Sequence, residues 1–135
     1  MLQLNAERDR LNHLSHVIIG AALRVHTELG PGMLESAYEA CLFFDLTELG
    51  LRVERQKALP LVYRGRQLPC GYRLDLLVAD SVIVEVKAIA RIDGVHRAQL
   101  LSYLRQLKLK LGLLINFNVK SLEDGIHRVV NGFPE

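Results

Sequence analysis

The chain has 135 residues, of which 50% are hydrophobic and 24% charged, so we expect one folded domain over residues 1–135 with a substantial core. Its net charge of +2 permits a nucleic-acid partner without requiring one. No signal sequence is visible, no apolar run approaches the roughly 20 residues of a membrane span, and Cys41 and Cys70 fit no metal or redox spacing. These features argue against secretion, a membrane partner and a disulfide scaffold, and they predict a protein of the reducing cytoplasm.

Two helices are predicted at the start of the chain. Apolar residues recur at helical spacing from about Ala6 to Leu29, and Gly30-Pro31-Gly32 ends this pattern. A second helix is predicted from about Met33 to Leu49, with Gly50 directly after its last turn.

After these helices the hydrophobic period changes to that of strands. Leu51–Ala58 and Leu59–Tyr63 are predicted as two strands, with a turn at Arg64–Arg66. Tyr72–Val78 and Val82–Ala88 are the clearest strands and are joined by a tight turn at 79–81. The remaining predicted elements are a helix over about 95–108, a buried strand over 112–117, and a short strand or turn over 125–130. This order predicts an α/β fold with a mixed sheet, because the late helix can cross over to a parallel strand.

Three charged residues interrupt the two clearest strands, namely Asp75, Glu85 and Lys87. Buried charges are costly unless they are paired or bind a metal, so we interpret these residues as placed for chemistry. Side chains alternate along a strand, which puts Glu85 and Lys87 on one face and the neighbouring valines on the other. A three-residue turn pairs residues 78 and 82 and therefore sets residue 75 opposite residue 85.

Two directly opposed carboxylates repel each other, and a divalent cation would turn that repulsion into affinity. An acid followed on the next strand by acid-x-lysine is a common construction for a magnesium-dependent phosphodiesterase site. The alternative is an exposed edge hairpin with solvated charges, which the apolar neighbours disfavour.

Two helices add polar residues at the spacing of one helical turn. Glu35 and Tyr38 share a helix face, so Glu35 is a candidate third acid, unless it only stabilises the helix N-terminus. Gln99 and Tyr103 also share a face, and His96 lies one turn before Gln99. These side chains are candidates to flank the same cleft, the alternative being a helix flank that faces solvent.

Taken together, these motifs resemble a known family. Gly32-Met-Leu-Glu35-Ser-Ala-Tyr38 is similar to the signature of the GxxExxY proteins, which belong to the PD-(D/E)XK nuclease superfamily. The similarity runs from about residue 10 to 132, and Gln99-x-x-x-Tyr103 also resembles the helix motif of RecB-like nucleases. One departure is that Leu74, and not proline, precedes Asp75. The acid-lysine pattern alone is a weak signal, whereas four motifs in order are a specific one.

The resemblance implies a restriction-endonuclease-like core, with a mixed central sheet flanked by helices and two N-terminal helices. It implies Mg²⁺ or Mn²⁺ bound by Asp75, Glu85, Glu35 and the backbone carbonyl of Val86. Lys87 would orient or activate the attacking water, and Gln99 would complete the catalytic set. Contacts to substrate are expected from four residues: Tyr38, Tyr103, Arg73 and Arg97.

The first functional prediction is a metal-dependent nuclease, with DNA favoured over RNA as substrate. The second is a non-catalytic module that keeps the fold and binds nucleic acid or a protein. The intact set of acids and lysine disfavours this module. The weak net charge favours either the module or an enzyme that depends on a partner protein. A homodimer is also left open. The third is a structural α/β protein whose acid cluster is fortuitous.

Overall fold

A computed structural model describes residues 2–134, apart from the side chain of Cys70. The helices are α1 (Leu2–Leu29), α2 (Glu35–Glu48) and α3 (Gly94–Leu107). The strands are β1 (Val53–Tyr63), β2 (Arg66–Val78), β3 (Val82–Lys87), β4 (Leu111–Asn116) and β5 (Ile126–Val130), with a short 3₁₀ helix at Leu122–Gly125. Within these residues no helix combines the length and the apolar character needed to cross a membrane.

The five strands form one mixed sheet in the order β1-β2-β3-β4-β5. Neighbouring strands are antiparallel except β3 and β4, which are parallel and are connected through α3. A parallel pair requires such a crossover, because a tight turn cannot bring the chain back to the same end of the sheet. The predicted α/β class with a mixed sheet is therefore confirmed.

The sheet is covered on both faces. On one face α1 and α2 pack against alternate residues of β3, namely Val82, Val84 and Val86. On the other face α3 packs against a second cluster that includes Leu77 and Ile83. All six residues of β4 are buried, as expected for a parallel strand in the middle of a sheet. This alternation places Glu85 and Lys87 on the α3 side of the sheet.

The loop between α1 and α2 sets where the second helix begins. Gly30 and Gly32 adopt left-handed backbone angles, with φ of 67° and 97°, which glycine reaches without steric cost. Leu34 is still extended, so α2 begins at Glu35, two residues after the predicted start. Helix α1 begins at Leu2 and not at Ala6, but it ends at the predicted Leu29.

The first hairpin differs from the prediction. Leu51–Ala58 and Leu59–Tyr63 are not two strands: β1 is continuous from Val53, with a register shift between Leu59 and Leu61 that accommodates Pro60. Proline has no N–H to donate to a ladder, so the pairing skips it. Strand β2 begins at Arg66, six residues before the predicted Tyr72. The turn itself lies where it was predicted, because Tyr63 pairs with Arg66 across a two-residue loop.

Candidate active site

The candidate site lies where β2 and β3 stop pairing. Val78 pairs with Val82, as the three-residue turn predicted, and the ladder continues to Leu76 and Val84. Beyond that point each strand is bound by an acidic side chain of the other. The amide of Asp75 donates to Glu85 Oε2 at 2.9 Å, and the amide of Val86 donates to Asp75 Oδ2 at 2.8 Å. We call Asp75 and Glu85 the acid pair.

These reciprocal bonds explain how two opposed carboxylates are accommodated. Each carboxylate turns one oxygen towards a backbone amide of the facing strand, and a hydrogen bond to the charged form stabilises it. The acid pair therefore closes the end of the ladder with side chains in place of backbone carbonyls. Both acids are consequently held rigidly at the same point of the sheet.

Burial changes the acidity of both members of the pair. Glu85 is only 4% exposed, and burial, followed by the nearby charge of Asp75, raises its pKa to about 8. Burial also raises the pKa of Asp75 to about 6, and the adjacent Glu39 carboxylate adds to this effect. The backbone hydrogen bonds and the charge of Lys87 act in the opposite direction on both groups. The site therefore favours an added positive charge, either a proton or a cation.

Lys87 follows Glu85 by two residues and shares its face of the strand. It is half-buried, and its ammonium group is close enough to lower the pKa of both acids. Within residues 2–134 no acidic side chain forms an ion pair with it and no acceptor hydrogen-bonds it. Its amine is thus held beside the acid pair without being neutralised by direct contact.

Glu35 and the carbonyl of Val86 approach the same end of β3. Glu35, in the first turn of α2, is exposed, and its Oε1 accepts a hydrogen bond of 3.2 Å from the amide of Ala88. The carbonyl of Lys87 points to β4, where the amide of Phe117 donates to it at 2.9 Å. Successive carbonyls of a strand point to opposite sides, so the carbonyl of Val86 points towards β2 and Asp75.

Comparison with known proteins identifies the family of this chain. A sequence model of the PD-(D/E)XK nuclease superfamily matches residues 12–129. The chain belongs to this superfamily. No curated protein and no solved structure matches the chain. The predicted membership of the PD-(D/E)XK nuclease superfamily and the restriction-endonuclease-like fold are confirmed, whereas the finer assignment to the GxxExxY proteins stays a prediction.

Glu39 is a further acid at the site of this PD-(D/E)XK chain, and it is not among the residues predicted from the sequence. It lies one turn after Glu35 on α2 and is buried. Arg55 Nε donates to its Oε2 at 2.7 Å, and Gln56 Nε2 donates to its Oε1 at 2.7 Å and to Asp75 Oδ1 at 3.3 Å. Gln56 therefore links Glu39 to the acid pair. The i, i+4 spacing from Glu35 was a usable signal for it.

Tyr38 does not fit its predicted role as a substrate contact. Its side chain is completely buried, and its ring stacks on Phe117 with 4.6 Å between the ring centroids. The hydroxyl donates to the carbonyl of Gly30 and accepts a hydrogen bond of 3.0 Å from the amide of Met33. Tyr38 thus holds the loop that precedes Glu35, and its contribution to the site is to position α2.

Helix α3 brings Tyr103 to the acid pair from the other side. Tyr103 is buried, and burial, followed by the charge of Glu85, raises the pKa of its hydroxyl to about 12. Gln99 lies one turn earlier on the same helix face and is exposed. His96 instead completes the helix N-cap, because its Nδ1 accepts a hydrogen bond of 3.0 Å from the amide of Asp93.

The two predicted arginine contacts lie in different places. Arg73 is exposed, two residues before Asp75 on the same strand, and it donates to the carbonyl of Gln56 at 3.1 Å. Arg97 is held by His127 of β5, with 2.7 Å between its guanidinium and Nδ1. The sheet order puts β5 three strands away from β2, so the structure does not bring Arg97 to the acid pair.

The donor atoms at the site suit a hard cation. Among the side chains that the structure describes, which exclude that of Cys70, no three histidine, cysteine, aspartate or glutamate residues are already arranged as a metal-binding group. Mg²⁺, however, keeps several waters and takes only one or two carboxylates from a protein, together with phosphate oxygens of a substrate. The acid pair and the carbonyl of Val86 meet that requirement, and a cation there would relieve the repulsion between the two carboxylates.

Proposed function

We propose that this protein is a nuclease that uses Mg²⁺ or Mn²⁺ to hydrolyse phosphodiester bonds, with DNA as the preferred substrate. The observation that carries this proposal is the acid pair, fixed by reciprocal hydrogen bonds to Asp75 N and Val86 N, with the amine of Lys87 beside it. Membership of the PD-(D/E)XK nuclease superfamily supports the same reaction class.

The ion would be held by Asp75, Glu85 and the Val86 carbonyl, with Glu35 at the edge of the site. When bound, it supplies positive charge that polarises the scissile phosphate and lowers the pKa of adjacent water. The protein contributes a rigid arrangement of ligands, because both acids are already fixed to the facing strand. Glu39 and Gln56 support that arrangement by holding the second oxygen of Asp75.

Lys87 is proposed to act on the attacking water and on the charge that develops at phosphorus. Its amine has no acidic partner in direct contact among the described residues, so it is available to bind a phosphate oxygen or the water. A preorganised cation that meets developing negative charge stabilises the transition state more than the ground state. Gln99 and Tyr103 are proposed to steady the substrate from α3, with Arg73 as a phosphate contact.

The exposure of the site suits a polymeric substrate. Glu35 is exposed at the end of β3, Asp75 and Lys87 are half-buried, and only Glu85 is deeply buried. A cavity of about 520 Å³ lies elsewhere, between β1 and the end of α3, and is lined mainly by apolar side chains such as Leu59 and Leu107. The acid pair is therefore reached from the surface, as cleavage within a long chain requires.

The test is a cleavage panel with single-stranded, duplex and branched DNA and with RNA, each in Mg²⁺, Mn²⁺ and EDTA. We expect metal-dependent cleavage by the wild type, strongest on DNA, and its loss in Asp75→Asn. The matched control is Asp9→Asn, since Asp9 is an exposed acid of α1 whose side chain accepts a hydrogen bond from the neighbouring Arg8. Equal cleavage by the wild type and Asp75→Asn would assign the activity to a contaminant and favour a non-catalytic module that binds nucleic acid.

A further inference from the structure

The first hairpin extends beyond the rest of the sheet. Strand β2 pairs with β3 only over residues 76–78, whereas its pairing with β1 continues to Tyr63 and Arg66 at the turn. Residues 57–73 therefore form a two-stranded ribbon, which we call the arm. Every side chain from Val62 to Pro69 is exposed, although Val62 also lines the cavity beside the end of α3, so the outer part of the arm lies mainly in solvent.

The arm has a charge unlike that of the rest of the molecule. It contains four basic residues (Lys57, Arg64, Arg66 and Arg73) and no acidic one. The other residues contain thirteen basic and fifteen acidic side chains, so all of the net positive charge comes from the arm. Near the turn, no acidic side chain of the described residues pairs with Arg64 or Arg66. The small net charge of the whole chain thus conceals a local concentration of positive charge.

The turn at the tip of the arm also places a charged residue where other residues would be conformationally more favourable. Arg64 and Gly65 both have positive φ, 51° and 76°, as in the two-residue turns that favour asparagine and glycine. An arginine in this conformation is less favourable than either residue, and its guanidinium lies 5.3 Å from the ring centroid of the neighbouring Tyr63. Since the tip adds nothing to the core, its residues are explained better by binding than by stability.

We propose that the arm is a duplex-binding element that lies in the major groove of B-form DNA beside the site of cleavage. This inference rests on the proposed nuclease function and adds a substrate surface to it. The major groove accommodates a two-stranded β-ribbon, and arginines can contact phosphates or the guanine edge there. Exposed Val62 and Tyr63 flank the arginines and provide apolar contact to bases or sugars.

The arm is connected directly to the catalytic end of the sheet. Arg66 and Asp75 belong to the same strand, and nine residue steps of a strand span about 30 Å. At 3.4 Å per base pair, this corresponds to about nine base pairs of duplex on one side of the cleavage site. A-form RNA has a deep, narrow major groove, so a ribbon of this kind discriminates in favour of DNA.

The experiment measures binding separately from cleavage, by fluorescence anisotropy of a duplex of about 25 base pairs in Ca²⁺, longer than the span of the arm. Arg64→Gln/Arg66→Gln is expected to weaken binding by about tenfold and to reduce the slope of log K against log salt by about 2. The matched control is Arg8→Gln/Arg24→Gln, which removes the same charge from α1, and it is expected to bind like the wild type.

A second variant removes the tip altogether. Asn-Gly in place of residues 62–67 leaves Leu61 and Leu68, which pair in the wild type, next to a two-residue turn. Because the deleted side chains are exposed, its melting temperature is expected to stay close to that of the wild type. It should lose at least as much duplex affinity as the arginine variant, and both variants should bind duplex RNA of the same sequence like the wild type does.

The outcomes separate this inference from the proposed function. Unchanged duplex affinity and salt slope in both arm variants would overturn the inference, even if the wild type cleaves DNA. An equal, arm-dependent affinity for duplex RNA would overturn the assignment to the groove of DNA. Arm-dependent binding of duplex DNA without any cleavage would support the arm and refute the nuclease. Absence of duplex binding by the wild type would also overturn the inference.

Discussion

The two ends of strand β2 differ in packing and in chemistry although they belong to one element. The inner end, residues 74–78, lies between β1 and β3 and carries Asp75 among buried leucines. The outer end, residues 66–73, pairs within the sheet only with β1, and its exposed side chains include Arg66 and Arg73. Rigidity is needed where ligands must be held in place, whereas an exposed ribbon is sufficient where charge must reach a substrate. Substitutions at the two ends should therefore have different effects on stability, cleavage and binding.

The largest difference is expected in stability, and one strand offers a matched pair of leucines. Leu76 is completely buried, so Leu76→Ala should lower the free energy of unfolding by about 2–5 kcal/mol through lost burial and a cavity. Leu68 is 38% exposed on the outer end, and Leu68→Ala should change the free energy by about 0.5 kcal/mol or a little more. Urea unfolding followed by circular dichroism measures both. Similar losses in the two variants would show that the outer end is packed as part of the core.

The next effect concerns the chemical step at the inner end. Lys87→Ala should reduce the rate of cleavage by about 100-fold or more, because its charge is used only near the transition state. Binding in Ca²⁺ should be largely retained, in contrast to variants of the arm. Single-turnover cleavage at saturating enzyme, paired with the anisotropy assay, gives both quantities.

The control for this variant is Lys120→Ala, since Lys120 is exposed in the segment after β4 and forms no ion pair with a described residue. It should cleave at the wild-type rate. If Lys87→Ala lost affinity in proportion to its rate, the lysine would be a ground-state phosphate contact and would resemble the arginines of the arm.

The inner end of β2 was largely predictable from the sequence, whereas the outer end was not. Residues 74 and 76–78 are all buried and apolar, and Asp75 is conspicuous because it interrupts this apolar run. The outer residues face solvent and carry no such pattern, and Pro69 and Gly71 suggest a break that the free edge tolerates. A two-residue turn with arginine at positive φ also departs from the usual turn sequences.

The roles of the helix residues of the site also depend on packing that the local sequence pattern does not contain. Glu39 is a buried acid, and the residues that satisfy it, Arg55 and Gln56, are 16 and 17 positions away. Spacing within a helix cannot reveal such partners. Tyr38 shares a face with Glu35 by spacing, but its long side chain reaches the core and Phe117, which only the packing of α2 determines.

A third prediction concerns the pH dependence of stability without metal. The pKa of Glu85 is raised to about 8 in the folded protein from an ordinary value of 4.5. Between these values the folded protein keeps a proton that the unfolded chain releases, so stability decreases as pH rises through this window. Glu85→Gln carries no such proton and should show a smaller decrease, leaving it more stable than the wild type near pH 8 in EDTA. Melting temperatures across the window measure this.

Added Mg²⁺ should reverse this order of stability, making the wild type more stable than Glu85→Gln. Mg²⁺ binds the folded site of the wild type and should raise its melting temperature, whereas Glu85→Gln should respond little. Glu48→Gln, a change of an exposed acid on α2, is the control and should behave like the wild type in both conditions. An unchanged pH profile and an unchanged metal response in Glu85→Gln would mean that Glu85 is neither protonated nor a ligand.

The smallest effect is expected at the boundary between the two ends, where Glu39 and Gln56 support Asp75. The charge of Glu39 raises the pKa of both Asp75 and Glu85, so Glu39→Gln should lower both pKa values. The glutamine can still accept a hydrogen bond from Arg55, but it no longer neutralises that guanidinium. The uncompensated positive charge should lower the two pKa values further. Nuclear magnetic resonance titration of the side-chain carboxyl carbons in EDTA measures both pKa values. Duplex affinity in Ca²⁺ should stay close to that of the wild type, because the arm is unchanged. A rise in either pKa would contradict this prediction. It would show that the hydrogen bonds of Glu39 stabilise the charged form of the acid pair more than its negative charge destabilises that form.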